Sequence, residues 1–338
     1  MSTILKIFDS FDKINLNDYS ILKNQCNAPL FYDHRFLMAT EQAHLLPIIE
    51  THYFVAYENN QMVAFMPSYM QSSADPFGVL AKTTSMSFEQ GNAFFSHIMH
   101  CYESTILAID NSVAAYKLIF NGLAELARQK TARYFGILNI IDENVMTTAR
   151  NLNLHVNYMW DRFYADFSAI RNFEEFLATL PTRGRGEVRR QLRKFENDKE
   201  AFVHMEKPPF IDINEVAELC YQTTKKNGTP HYYPRESFVK FLILCGDLVR
   251  ILTISSRGKR IGVLVCFSEA KKLHLWAGGM IYDKTEFSPY TILFVEAFKF
   301  AIDNNLTRVE AGRTNAKIKS RLGLSPLPLY SIVGETLV

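Results

Sequence analysis

No Cys-x-x-Cys occurs in this sequence, and its five cysteines (Cys26, Cys101, Cys220, Cys245 and Cys266) are scattered. An odd, unpatterned set argues against a disulfide framework and points to reduced thiols in a cytoplasmic protein. Neither sign of charge prevails. With 37 basic and 35 acidic residues the net charge is +2, too little for a general field that would attract nucleic acid or membrane. No apolar run is long enough to span a bilayer. The first residues, MSTILKIFDSFDKINLND, carry acids inside their apolar part and no small-residue cleavage site, so no signal peptide is expected. There is no GxSxG elbow, no GxxxxGK[ST] loop and no HExxH, which removes three large enzyme classes. His97 and His100 stand beside Cys101 but lack a second ligand pair, so no metal is expected.

What the sequence does have is apolar bulk. Its 338 residues are 48% hydrophobic and 13% aromatic, enough for two domains with separate cores. Short helical segments around DYSILKNQC and HRFLMATEQAH open the chain. HYFVAYENNQMVAFMPSYMQ then reads as two strands turning at Glu58-Asn59-Asn60, where Asn tolerates left-handed backbone. Residues 71–100 resist assignment. A short strand near Thr105–Ile109 follows, then a helix capped by Ser112, the strand RYFGILNI, a helix over 142–154 and a strand over 156–167.

The second half repeats this order. A hairpin turns at Arg257-Gly258, LHLWAGGMIY is a strand, SPYTILFVEAFKFAIDNN a long helix, TRVEAG a strand and PLYSIVG a last strand. We read an internal duplication with domains at 1–168 and 169–338. Between the halves, Asn172 and Glu175 form a capping box. Gly184 and Gly186 are expected to break the chain, and a basic helix starts near Glu187 with Arg189, Arg190, Arg193 and Lys194.

The stretch His274–Asn305 organises the second half. Its strand ends at Gly278-Gly279, where bare backbone can bend or lie close to a ligand. Ser288-Pro289 then starts a helix whose apolar stripe runs through Ile292, Val295, Phe298 and Ile302. Free amides at such a start suit phosphate groups.

The pattern of Phe173, Phe176, Leu177 and Leu180 with the run Arg183, Glu187, Arg189, Arg190, Leu192, Arg193 and Lys194 resembles the FemAB-like acetyltransferases of the GNAT superfamily. The later hairpin, the WAGG strand, the helix opened by Ser-Pro, the strand VEAG and the segment with Lys317, Lys319 and Gly323 fit the same resemblance. It implies an α/β protein of two GNAT-like domains, each a mixed central sheet flanked by helices, with transfer chemistry in the C-terminal half. It further implies an N-acyltransferase that moves an acyl group from acyl-CoA or an acyl-phosphopantetheine carrier protein to the amine of a small-molecule or precursor acceptor. The R/Q-x-x-G-x-G/A phosphate loop of simpler GNAT enzymes is absent between Gly279 and Ser288, and some family members use aminoacyl-tRNA instead. The alternatives are such a tRNA-dependent transferase and a non-catalytic binding module.

Acyl transfer to an amine needs an aligned donor, a route for a proton and donors for an oxyanion. In a GNAT-like fold the donor lies where the strand before the long helix parts from the next one, here 274–282 and 308–312. By alternation His274, Trp276 and Gly278 share a face of the first strand, and Glu310 and Gly312 share a face of the second. Glu310 or His274 is the expected base or relay, with the Tyr233 hydroxyl as a proton donor to the leaving group. Gly278, Gly279, Ser288, Tyr290, Arg189, Arg190 and Lys317 are the expected donor contacts. Tyr232, His231, Trp276 and Arg313 are the expected walls of the acceptor pocket.

Overall fold

The computed structural model describes residues 3–88 and 93–336. In chain order these residues form β1 (Ile4–Phe8), α1 (Leu16–Gln25), α2 (His34–Gln42), β2 (Ile48–Glu58), β3 (Gln61–Gln71), α3 (Val79–Thr84), β4 (Ala93–Ser96), β5 (Leu107–Ala108), α4 (Val113–Gln129), β6 (Tyr134–Ile140), α5 (Glu143–Asn151) and β7 (His155–Asp166). Then come α6 (Phe173–Thr179), α7 (Thr182–Asn197), β8 (Ala201–Glu206), α8 (Ile213–Lys226), α9 (Arg235–Cys245), β9 (Val249–Ser256), β10 (Lys259–Glu269), β11 (Lys272–Met280), α10 (Pro289–Asp303), β12 (Arg308–Glu310), α11 (Ala316–Arg321) and β13 (Ser325–Glu335).

Two compact units result. Unit 1 comprises residues 1–160 with 328–338, and unit 2 comprises residues 161–327. The boundary therefore falls inside β7 rather than at 168/169, and β13 folds mainly with the first unit rather than the second. The reason is its ladder: β13 runs antiparallel to β6, with Ile332 opposite Ile137 and Glu335 opposite Tyr134.

In unit 1 the strands lie in the order β1-β2-β3-β4-β6-β13, with β5 against β3. The hairpin β2–β3 turns where expected, and Asn59 and Asn60 both take positive φ. Helix α4 buries Tyr116, Ile119, Phe120 and Leu123 at three- and four-residue spacing against Phe54, Met66, Phe94 and Ile137. Ser112 caps it by accepting from the Ala115 amide.

In unit 2 the order is β7-β12-β11-β10-β9-β8. All neighbours are antiparallel except β11 and β12, as β4 and β6 are the one parallel neighbour pair among the paired strands of unit 1. The expected turn at Arg257-Gly258 is present, with φ +53° and +70°. Helix α10 lays Ile292, Leu293, Val295 and Phe298 on Leu264, Leu273, Leu275 and Val309. Each such side chain contributes on the order of 2 kcal/mol by leaving water. Ser288 caps this helix through the Thr291 amide.

One helix boundary is corrected. α7 begins at Thr182, so Gly184 and Gly186 are helical and do not break it. Gly184 is buried against α11: a Cβ there would lie 2.1 Å from the Arg321 carbonyl oxygen. Close approach of two backbones, rather than a turn, explains that glycine. Strands β1 and β8 were not expected from sequence. No helix among the described residues is long and apolar enough to cross a membrane.

Candidate functional site

The candidate site lies in unit 2, at the place where β11 outruns β12. The parallel ladder joins only Lys272, Leu273 and His274 to Arg308, Val309 and Glu310. Beyond His274, β11 continues to Met280 without β12 beside it. Backbone groups on that side must find other partners.

The strand is also irregular there. Leu275 faces Cys266 and Ala277 faces Val265 on β10, so Trp276 is an extra residue, a β-bulge. The bulge overturns the expected alternation. His274 and Trp276 lie on the face toward α9, but Gly278 turns to the other, where a Cβ would meet Met280 Cε at 3.0 Å and Leu264 Cδ1 at 3.6 Å. Gly279 instead faces α8, and a Cβ there would fall 2.3 Å from the Leu219 carbonyl carbon. Gly279 thus admits a helix against the strand, and the adjoining Met280 amide donates to Thr223 Oγ1 at 3.1 Å.

Four side chains from three segments close on the strand ends. Tyr232 and Tyr233 follow α8 and are both buried. The Tyr233 hydroxyl donates to the carbonyl of the bulge residue Trp276 at 3.4 Å. Arg313 Nη2 donates to the Tyr232 hydroxyl at 2.9 Å. Lys319, on α11, is 3% exposed, and its Nζ donates to the carbonyls of Ala311 at 2.5 Å, Gly312 at 3.1 Å and Arg313. Burial, and secondarily Arg313, lowers its pKa to about 7. The three carbonyls match the three N–H donors of the ammonium form and hold its proton against that shift. The expected donor contact here was Lys317; it is exposed, and Lys319 is the enclosed one.

Glu310 is fully buried between two guanidinium groups. Its Oε1 accepts from Arg308 Nε at 2.5 Å, and its Oε2 lies 3.6 Å from Arg162 Nε. Arg308 also covers the Tyr164 ring at 3.9 Å. His274, fully buried, stands opposite Glu310 in the ladder. Arg162, 1% exposed, was not singled out from sequence, although an arginine inside an alternating strand was a visible signal. An ion pair so enclosed must keep its partners, because a lone buried charge is costly.

The remaining expected residues are placed as follows. Trp276 stacks on Phe238 and Phe241 at interplanar angles of 15°, inside the packing under α9. His231 is exposed. At the start of α10 the Ser288 amide donates to Gln191 Oε1 at 2.7 Å, and Pro289 has no amide. The Thr291 amide goes to Ser288 Oγ, which leaves only the Tyr290 amide of the first turn. Tyr290 stacks on Phe294 at 4.5 Å, and burial raises its hydroxyl pKa against a hydrogen bond with Asn315. Arg189 meets Glu174 at 3.3 Å and Arg190 meets Glu187 at 2.7 Å, both at the surface.

In unit 1 the His97 Nε2 is bonded to the Phe31 carbonyl and its Nδ1 accepts the Ile98 amide. No group of three His, Cys, Asp or Glu among the described residues is placed to hold a metal. A cleft of about 460 Å³ in unit 1 is lined by Asp9, Glu41, His44, Glu50, His52 and Lys130. Its carboxylates are already engaged: Glu41 by Ser10, Phe11 and Tyr53, and Glu50 by His52 and Lys130.

The model of the FemAB-like family, described as peptidoglycan biosynthesis/recognition, matches residues 10–334. Among curated proteins no relative matches the sequence. Among solved structures, FemX is similar with a TM-score of 0.64 at 10% identity, covering 96% of both chains. A tandem GNAT protein from the clavulanic acid biosynthesis pathway gives 0.60 at 9% identity, covering 100% of this chain and 99% of the other. A conserved protein of unknown function from Bacteroides thetaiotaomicron gives 0.60 at 12% identity, covering 99% and 100%. These likenesses show the fold: two GNAT-like halves, each with a mixed sheet flanked by helices.

Proposed function

Because the chain belongs to the FemAB-like family, we propose that it is a transferase moving an aminoacyl group from aminoacyl-tRNA to the amine of a peptidoglycan-precursor peptide. Family and fold support a transferase of the acyl-transfer kind; donor and acceptor are our reading. The observation that carries it is the edge of β11 beyond His274, bordered by Tyr232, Tyr233, Arg313 and Lys319.

In this reading the acyl group lies along the uncovered edge of β11. The amine nitrogen bonds to the carbonyl carbon, the ester C–O bond breaks, and the proton lost by the amine ends on the departing ribose hydroxyl. The charges of Lys319 and Arg313 favour the oxyanion that forms in between. Glu310 and His274 are enclosed and act as positioning residues that fix the strand ends. The start of α10 supports the choice of a tRNA ester over a coenzyme A thioester. One free amide in the first turn and a Gly279 occupied by α8 make a poor cradle for a pyrophosphate.

An acyl-CoA or acyl-carrier donor is the second reading, favoured by the strand edge, which suits an extended pantetheine arm equally well. The test presents the protein with labelled aminoacyl-tRNA or labelled acyl-CoA and an amine-bearing muropeptide precursor, and follows the label. Label moving from tRNA alone supports the first reading. Label moving from coenzyme A alone replaces it with the second, and movement from neither returns the chain to a binding module.

A further inference from the structure

The positive charge of this nearly neutral chain is gathered on one pair of helices. α7 carries a net +4 and α11 a net +3, in a protein of net +2. The fold brings the two together, since Gly184 of α7 rests on the Arg321 carbonyl of α11. Because Gly184 and Gly186 are helical, α7 is a full turn longer at its start than the sequence suggested, and Arg183 and Arg185 join its surface.

The arginines are ordered along the helix. Arg185, Arg189 and Arg193 follow at four-residue intervals, so they stand in a row with a rise of about 6 Å per step. That step matches the separation of neighbouring phosphates along a nucleic-acid strand. The opposite side of α7, with Gly184, Val188 and Gln191, is buried and anchors the row. Arg189 has one exposed ion pair, to Glu174 at 3.3 Å, and among the described residues no carboxylate pairs with Arg185 or Arg193. Exposed pairs of that kind contribute little and are readily exchanged for a phosphate.

We propose that the surface of α7, extended by Lys317 and Arg321 of α11, binds the phosphate backbone of RNA. The inference rests on the tRNA-donor reading and names the face that receives the carrier. Binding here is backbone-directed and salt-dependent, without base readout.

The experiment measures binding of deacylated tRNA to the full chain by fluorescence anisotropy across a salt series. We expect the triple variant Arg185→Gln, Arg189→Gln, Arg193→Gln to bind about tenfold or more weakly and to lower the slope of log K against log salt by about 2 to 3. The control Arg150→Gln, on α5, leaves affinity and slope unchanged. Unaltered binding by the triple variant, or equal weakening by the control, overturns the proposal. Binding to anionic phospholipid vesicles with none to RNA overturns it in favour of a membrane. If the triple variant binds tRNA normally while wild type still transfers from aminoacyl-tRNA, the surface is wrong and the donor is right. If wild type binds no tRNA and uses acyl-CoA, the donor reading fails as well.

Discussion

The two units share a plan and differ at one point. Each contains a hairpin, a strand leading through a helix to a parallel neighbour, and a gap where that parallel pair ends. In unit 1 the chain fills its own gap. After β4 stops at Ser96, Ser104 bridges to Ile140 on β6, and β5 pairs with Ala64 and Phe65 on β3. Residues 97–102 are buried, and Asn139 ties them down by donating to the Cys101 carbonyl at 2.6 Å while accepting from Trp160 at 2.7 Å. In unit 2 the corresponding edge of β11 meets no such bridge among the described residues and is bordered by polar side chains. One copy fills the gap with its own chain, and the other is the edge where we propose the acyl group lies.

Four measurements break or sharpen that contrast. Glu310→Leu, in unit 2, removes the carboxylate between Arg162 and Arg308 and should cost about 3–5 kcal/mol in urea unfolding. A loss under 1 kcal/mol shows that the charges do not need one another. In unit 1, burial depresses the His97 pKa to about 3. The unfolded imidazole titrates near 6.5, so between these values the unfolded state binds more protons. Stability from this group is complete above pH 6.5 and should fall by up to about 4 kcal/mol as pH drops toward 3. A His97→Gln variant with the same acid profile removes the assignment. Asn139→Ala, also in unit 1, should cost about 2–3 kcal/mol by removing the hydrogen bonds to the Cys101 carbonyl and from the Trp160 indole and placing alanine at φ +57°. Transfer per folded molecule should not change, and a specific drop would give unit 1 a part in the chemistry. Tyr232→Phe, in unit 2, should shift stability by about 1 kcal/mol or less yet slow transfer about tenfold, since it removes the hydroxyl to which Arg313 Nη2 donates. Unchanged turnover takes Tyr232 out of the site.

What could be read from sequence was whatever local chemistry dictates. The turns at Asn59-Asn60 and Arg257-Gly258, the Ser112 and Ser288 caps, and the stripes of α4 and α10 all depend on residues a few positions apart. His274, Glu310, Tyr232 and Arg313 were legible only singly, as candidates within one expected cleft; that His274 stands opposite Glu310 and that Arg313 bonds to Tyr232 appears only in the fold. The features not foreseen have distant causes. A glycine stands at 184 inside the helix because Arg321, 137 positions later, presents a carbonyl to it. The Trp276 bulge depends on the register with β10, and the two faces of β11 cannot be assigned without it. Arg162 is enclosed with Glu310, 148 positions away. Lys319 rather than Lys317 points inward because three carbonyls wait at the end of β12.

The route of β13 has a consequence for biosynthesis. Unit 2 is one unbroken run of chain, whereas unit 1 is completed only by residues 328 onward. A ribosome releases the middle of the protein ready to close while the earlier part still lacks the strand that flanks β6. The half made first therefore matures last, and removing residues 328–336 would injure the beginning of the molecule more than its middle.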